Sequence, residues 1–225
     1  MGLISASSTG AWVSVFLGKS TMKIHRIALA VAAALLLAGC LPVTSKTPVG
    51  TTAGLGADAA LAGTWIGRAK DQEDKSQKKD KGVLYLHFLK GKDAGTFSVL
   101  WVVTGGDKND SESLSFTVST AKLGAYHYLN AVQTAEDGKP VDDKLKDANI
   151  PLLYSFGRHH TLALYLLDED KVKEAIKAGK IAGIIETRDF GDVKITADAA
   201  ALDAFFATPE AAKLFKVFVV LRKAE

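Results

Sequence analysis

Cysteine is almost absent from this chain: Cys40 is the only one among 225 residues. Residues 41–225 therefore contain no thiol. This excludes disulfide cross-links, thiol catalysis, cysteine-bound zinc and iron–sulfur clusters from that part of the chain. A domain built from these residues must be held together by its apolar core alone.

Three common signatures of catalysis or phosphate binding are also missing: His-Glu-X-X-His, Gly-X-Ser-X-Gly and a glycine-rich phosphate loop. His159 and His160 are adjacent, so in a strand they would point to opposite faces and could not bind one metal ion. We expect them in an exposed hairpin turn. His87 and His127 could meet inside a barrel, but single strand histidines are more often structural than catalytic. We therefore predict a protein without catalytic activity, metal or cofactor, and a hydrolase is the least favoured alternative.

Acidic residues are absent from the first 39 positions. Removing the three basic residues found there, Lys19, Lys23 and Arg26, from the 28 of the chain leaves 25, which equals the number of acidic residues. The rest of the chain is therefore formally neutral. Nucleic acids and anionic surfaces need clustered positive charge, so no nucleic-acid partner is predicted.

A short apolar segment, residues 27–38, follows Met22-Lys23-Ile24-His25-Arg26 and ends at Gly39-Cys40. A basic start, an apolar run and small residues at the end are typical of a secretory signal peptide. Twelve apolar residues are too few to cross a hydrocarbon core of about 30 Å, which takes about 20. We predict a signal peptide over residues 1–39. Residues 1–21 are interpreted as an over-extended start, because Met22 opens a signal of ordinary length.

Leu37-Ala38-Gly39-Cys40 resembles the lipobox of bacterial lipoproteins. The resemblance implies cleavage before Cys40 by a type II signal peptidase, thioether lipidation of the Cys40 sulfur, and acylation of the new amino terminus with a chain such as palmitate. Two or three chains anchor a protein firmly, since each buried CH₂ contributes about 0.8 kcal/mol. Leu41 stands where an aspartate would retain the protein in the inner membrane. The resemblance thus implies an outer-membrane lipoprotein facing the periplasm.

The residues after the cysteine divide into two parts. Residues 40–60 are rich in Thr, Gly, Ala and Pro and have no apolar periodicity, so we predict a lipidated flexible tether. A random coil of about 20 residues reaches roughly 25 Å. Residues 61–225 have the usual size of one folding unit and are predicted to form a single periplasmic domain.

Strand patterns dominate residues 61–167, and the alternation is clearest at 113–119, where apolar residues alternate with serine and threonine. The period then becomes helical, with candidate N-caps at Asp168, Asp198 and Thr208. Short polar turns between strands favour an antiparallel meander, and open edges must be closed or covered. We predict a mainly β (α+β) fold, either a meander or a barrel, with two or three short helices late in the chain.

The two ends of the domain are similar to those of lipocalins. Gly63-Thr64-Trp65 matches their Gly-X-Trp pattern, and Arg222 lies where they place a basic residue over the indole ring. The resemblance implies a lipocalin-like barrel that closes where its first and last strands meet. Arg222 on Trp65 would contribute about 0.5 to 2 kcal/mol as a cation–π contact.

Aromatic side chains are the remaining candidates for a ligand site, and they include Trp101, Tyr126 and Tyr128. They either fill the core or line a cavity for an apolar ligand, because such cavities are mostly apolar with a few polar groups. We predict that these three residues line such a cavity. The two functions considered are an envelope lipoprotein that binds an apolar ligand or lipid and a structural or assembly partner of another envelope protein.

Overall fold

A computed structural model describes residues 42–68, 82–105, 111–141, 145–186 and 192–224. The predicted signal peptide and lipobox, including Cys40, lie outside these residues. The strands are, in chain order, β1 (Thr44–Ser45), β2 (Gly63–Arg68), β3 (Val83–Lys90), β4 (Phe97–Thr104), β5 (Glu112–Leu123), β6 (Tyr126–Glu136), β7 (Lys139–Pro140), β8 (Ile150–Gly157), β9 (Thr161–Leu167), β10 (Gly183–Ile185), β11 (Val193–Ile195) and β12 (Phe215–Lys223). The α-helices are α1 (Glu169–Lys177), α2 (Ala199–Phe206) and α3 (Pro209–Ala212).

Eight of these strands form a closed antiparallel barrel in the order β2-β3-β4-β5-β6-β8-β9-β12. The ring closes because β12 pairs with β2, with Lys223 opposite Trp65 and Leu221 opposite Gly67. A closed barrel leaves no free strand edge of its own. The predicted fold class, a mainly β barrel with short helices late in the chain, is confirmed.

Every second side chain along the strands points inward, and these side chains fill the barrel. On β4, Phe97, Val99 and Trp101 are buried in the interior while Ser98 is exposed, and β3 shows the same alternation. Gly67 on β2 lets its neighbour approach closely, because an added Cβ would lie 2.6 Å from a methyl carbon of Leu221. The alternating strands of the sequence therefore become the walls of one apolar core.

A second core lies between the outer surface of the barrel and a layer formed by β1 and the elements that follow β9. This layer contains the three helices and a small sheet in the order β1-β11-β10. The helix starts follow the predicted caps: the Asp198 carboxylate accepts from Ala201 N at 2.8 Å, and Thr208 Oγ1 accepts from Ala211 N at 3.2 Å. None of the helices in the described part of the chain is long and apolar enough to cross a bilayer.

The segment predicted to be a flexible tether is packed against the barrel instead. Val43 is 4% exposed, Val49 is fully buried, and β1 pairs in parallel with β11. An added Cβ at Gly50, where φ is +91°, would lie 2.0 Å from Ala121 Cβ. Glycine here permits close packing and a left-handed backbone rather than flexibility. The tether prediction is therefore wrong for residues 42–60, and the domain does not begin at residue 61.

One end of the barrel is covered by the 3₁₀ turn Ala59–Leu61. Leu61 is fully buried in the barrel core, and Trp65 Nε1 donates to Leu61 O at 2.7 Å. Asp58 caps the turn by accepting from Ala60 N at 3.0 Å. The residues just before β2 thus form part of the barrel's own core.

The predicted contact between Arg222 and Trp65 requires a correction. The first and last strands of the barrel, β2 and β12, do meet, but the cation over the indole ring is Lys223, whose Nζ lies 5.4 Å from the ring centroid. Arg222 pairs with Ile66 in the ladder and is exposed. Successive strand residues point to opposite faces, so the residue opposite Trp65 lies on its side of the sheet and Arg222 does not.

Candidate ligand site

The barrel interior contains an apolar cavity of about 60 Å³. Seven of the eight barrel strands contribute to its lining, β2 being the exception, and all thirteen lining side chains are apolar. They include Phe88, Trp101, Phe116, Ala131, Leu152 and Phe218. The barrel is therefore partly hollow, and its cavity has no charged lining residue.

The small side chain of Ala131 explains part of this cavity. It lies inside the barrel on β6, between Val118 on β5 and Ile150 on β8. Its single methyl group leaves space that a larger side chain at this position would occupy. A small residue within an otherwise bulky inward row was the signal in the sequence that could have located the cavity.

The size of the cavity restricts what it can hold. Pockets for drug-sized molecules measure roughly 300 to 1,000 Å³, whereas this cavity measures about 60 Å³. The lining is least buried at Phe116, Leu166 and Phe218, which are partly exposed. The space is therefore large enough for only a few carbon atoms.

Trp101 lines the cavity, at the place where the sequence predicted it. Its ring stacks on Phe218 with 5.4 Å between centroids and an angle of 20°. It is 8% exposed, and its Nε1 has no hydrogen-bond partner within the described residues. An unsatisfied buried donor costs about 1 to 3 kcal/mol.

Tyr126 and Tyr128 do not line the cavity, so this part of the site prediction was wrong. Leu129 and Ala131 point into the barrel, which places the even-numbered residues at this end of β6 on the outer face. Tyr128 packs there against Phe206, with centroids 5.5 Å apart, and its hydroxyl donates to Phe206 O at 2.7 Å. Burial, and to a smaller extent Tyr126, raises the pKa of Tyr128.

Two hydrogen bonds connect the residues at the covered end of the barrel. Tyr154 Oη donates to Asp58 Oδ2 at 2.8 Å, and Asp58 N donates to Thr120 Oγ1 at 3.1 Å. Burial first, and then the hydrogen bond and charge of Asp58, raise the pKa of the Tyr154 hydroxyl. No local pattern in the sequence indicates this pair, because its members lie 96 residues apart.

Four of the five histidines lie in the part of the chain that the structure describes. His87 lies on the outer face of β3, where its Nδ1 is 2.9 Å from Thr64 Oγ1 and its ring stacks on Tyr85. His127 contacts the Tyr154 ring at the covered end of the barrel, with centroids 5.4 Å apart. His159 and His160 are exposed in the β8–β9 turn, with φ of 56° and 52°. These four residues thus lie at three places, and no group of three or more potential metal-binding side chains is present among the described residues.

Comparisons with protein-family models, with curated proteins and with solved structures found no match for this chain. The cavity is the feature of the barrel that most directly suggests a ligand.

Proposed function

We propose that this protein is a bacterial envelope lipoprotein, anchored through a lipid on Cys40, whose barrel binds the end of an alkyl chain without catalysing a reaction. The observation that supports binding is the cavity of about 60 Å³ with an entirely apolar lining, and the anchor rests on the sequence Leu37-Ala38-Gly39-Cys40. Burying apolar surface is favourable by roughly 25 cal/mol per Å². A buried charge without a partner would be strongly unfavourable there.

The occupant is an amphiphile with one long chain rather than a compact apolar molecule. A CH₂ group contributes about 0.8 kcal/mol on burial, and binding must first overcome several kcal/mol of lost motional freedom. The few carbons that fit the cavity do not provide this alone. The partly exposed rings of Phe116 and Phe218 offer apolar surface to the next carbons of the chain. The polar head of the amphiphile then stays in water.

Trp101 provides a reporter for the test. Trp12→Phe combined with Trp65→Phe leaves Trp101 as the one tryptophan of the sequence, and the full chain, made by cell-free synthesis without detergent, is titrated with decanoate. We expect its emission to change and its melting temperature to rise, since a ligand that binds only the folded state stabilises it. Glycerophosphocholine, which lacks acyl chains, serves as the negative control.

A matched pair of variants tests whether the cavity is the binding site. Ala131→Leu places three further carbons in the cavity, and Ala163→Leu adds the same atoms on the outer face of β9. We expect the first variant to abolish the response to decanoate and the second to retain it. An unchanged emission and melting temperature in the parent protein, over a panel of single-chain amphiphiles, would contradict the proposal.

A specific observation favours a second candidate function, that of an assembly partner for another envelope protein. Val217 and Val220 on β12 are 52% and 53% exposed. Ile66, Tyr85 and Val102 form a half-buried row on the outer face of β2, β3 and β4. Apolar side chains exposed on neighbouring strands are candidates for an interaction site. A photo-crosslinker at Val220 in intact cells should then capture one partner that a crosslinker at exposed Lys177 does not; equal capture at both positions counts against it.

A further inference from the structure

The small sheet β1-β11-β10 is the described part of the domain that lies nearest in sequence to the predicted lipid anchor. Val43, three residues after Cys40, is already buried in the second core. Three residue steps span at most about 11 Å even when fully extended. The anchor is therefore joined directly to this sheet, and not through a segment of about 20 flexible residues.

Backbone hydrogen bonds hold the residues that directly follow Val43. Ser45 N donates to Asn149 O at 2.8 Å, and Lys46 N donates to Ile195 O at 2.9 Å. These bonds fix β1 against both the start of β8 and the strand β11. A lipid on Cys40 thus restricts which face of the domain can turn toward the bilayer.

One face of the sheet consists of three cross-strand neighbours: Thr44, Lys194 and Ile184, which we name the anchor-proximal face. Val193 and Ile195 are buried on the opposite face, so Lys194 points outward. Ile184 is 53% exposed, although it is a large aliphatic residue. An isoleucine beside a lysine suits a lipid headgroup region, where apolar side chains insert and the ammonium group remains among phosphates.

Charge alone does not hold this face on a membrane. Exposed Lys46 and Lys194 are accompanied by exposed Glu186 and half-buried Asp192 at the far end of β10 and the start of β11. The two signs balance, so a polybasic attraction is not the cause of binding. The acyl chains supply the affinity, and the sheet decides the orientation.

We infer that the anchor-proximal face lies against the leaflet in which the Cys40 lipid is inserted. This inference rests on the anchoring part of the proposed function. It gives the barrel a defined orientation at the membrane surface, in place of the free rotation that a long tether would allow. The outer face of β3, four strands from β8 around the eight-stranded ring, is then turned away from the bilayer.

Two single-cysteine variants of the full lipidated chain test the orientation. Ile184→Cys marks the anchor-proximal face, and Leu89→Cys marks the β3 side with a similar exposure of 57%. The thioether of a lipidated Cys40 does not react with thiol reagents, so each variant takes one bimane label. The proteins are placed in vesicles of phosphatidylethanolamine and phosphatidylglycerol that carry a nitroxide on the lipid headgroup.

We expect the label at position 184 to be quenched several-fold more strongly than the label at position 89. Equal quenching, or stronger quenching at position 89, overturns the inference even when the protein floats with the vesicles. A protein that fails to float, or whose mass shows no lipid, contradicts the anchoring itself, and the inference fails with it. Hydrogen exchange on the unlabelled lipidated protein provides a second measurement: vesicles should slow the amides of β10 and leave those at the end of β3 unchanged.

Discussion

The side-chain amide of Asn130 forms two hydrogen bonds with the backbone of Val49. Val49 N donates to Asn130 Oδ1 at 2.7 Å, and Asn130 Nδ2 donates to Val49 O at 2.8 Å. The two residues lie 81 positions apart, and both are buried. An amide on the outer face of β6 thus takes the place of a neighbouring strand for the segment that precedes the barrel. This pair attaches residues 42–60 to the rest of the domain.

Replacing Asn130 by alanine should release this segment. Both polar groups of Val49 would lose their partners in a buried place, so we expect the free energy of unfolding to fall by about 2 to 3 kcal/mol. Urea unfolding measures the change, and proteolysis around residues 50–56 should become faster. Ser98→Ala on the exposed side of β4 is the control, with a change within about 0.5 kcal/mol. An equally small change in Asn130→Ala would show that the two hydrogen bonds to Val49 contribute little to the free energy of unfolding.

Asp203 forms a further attachment of this segment. Its buried carboxylate accepts from Gly50 N at 2.5 Å, Thr52 N at 2.7 Å and Thr52 Oγ1 at 2.6 Å. In Asp203→Asn the new NH₂ group would face a donor, so we expect a loss of about 1 to 3 kcal/mol and faster hydrogen exchange at Gly50 and Thr52. Thr52→Ser, which keeps the hydroxyl donor, should be close to the parent. Unchanged exchange in Asp203→Asn would contradict this role.

The two tryptophans of the barrel should respond differently to the same change. Trp65→Phe removes a donor that is bonded to Leu61 O and leaves that carbonyl without its partner. Trp101→Phe removes a donor that has no partner within the described residues. Both lose similar apolar area, so we expect Trp65→Phe to be more destabilising by about 2 kcal/mol. Thermal unfolding of the two variants checks this order, and equal melting temperatures would contradict it.

The sequence was sufficient to predict the fold class because that information is local. Alternation marked the strands, and the capping residues Asp198 and Thr208 marked helix starts.

The predictions were wrong where contacts between residues distant in sequence determine the structure. An aromatic residue such as Tyr128 can pack on either face of β6, and the register of β6 with β5 and β8 determines that it lies on the outer face. Gly50 looked like part of a flexible linker, although Ala121 requires a glycine there. Lys223 rather than Arg222 covers Trp65 because the register of β12 with β2 places Lys223 opposite Trp65 and Arg222 opposite Ile66.

Stability should fall in alkaline solution because of Tyr154. The folded state raises the pKa of its hydroxyl above the ordinary value of about 10, through burial and Asp58. The unfolded tyrosine therefore ionises first as the pH rises. The stabilisation is complete below about pH 10 and is lost progressively above it. Urea unfolding at pH 8 and at pH 11 should show a smaller difference in Tyr154→Phe than in the parent, and an identical difference would contradict this assignment.

Filling the cavity should stabilise the barrel. Ala131→Leu adds three carbons that face the apolar space of about 60 Å³, and cavity-filling changes commonly add about 0.5 to 2 kcal/mol. Ala163→Leu adds the same atoms to the half-buried outer face of β9 and should change stability by less than about 0.5 kcal/mol. Urea unfolding separates the two. A loss of stability in Ala131→Leu would mean that the interior is already fully packed, and a fully packed interior would leave no room for an alkyl chain.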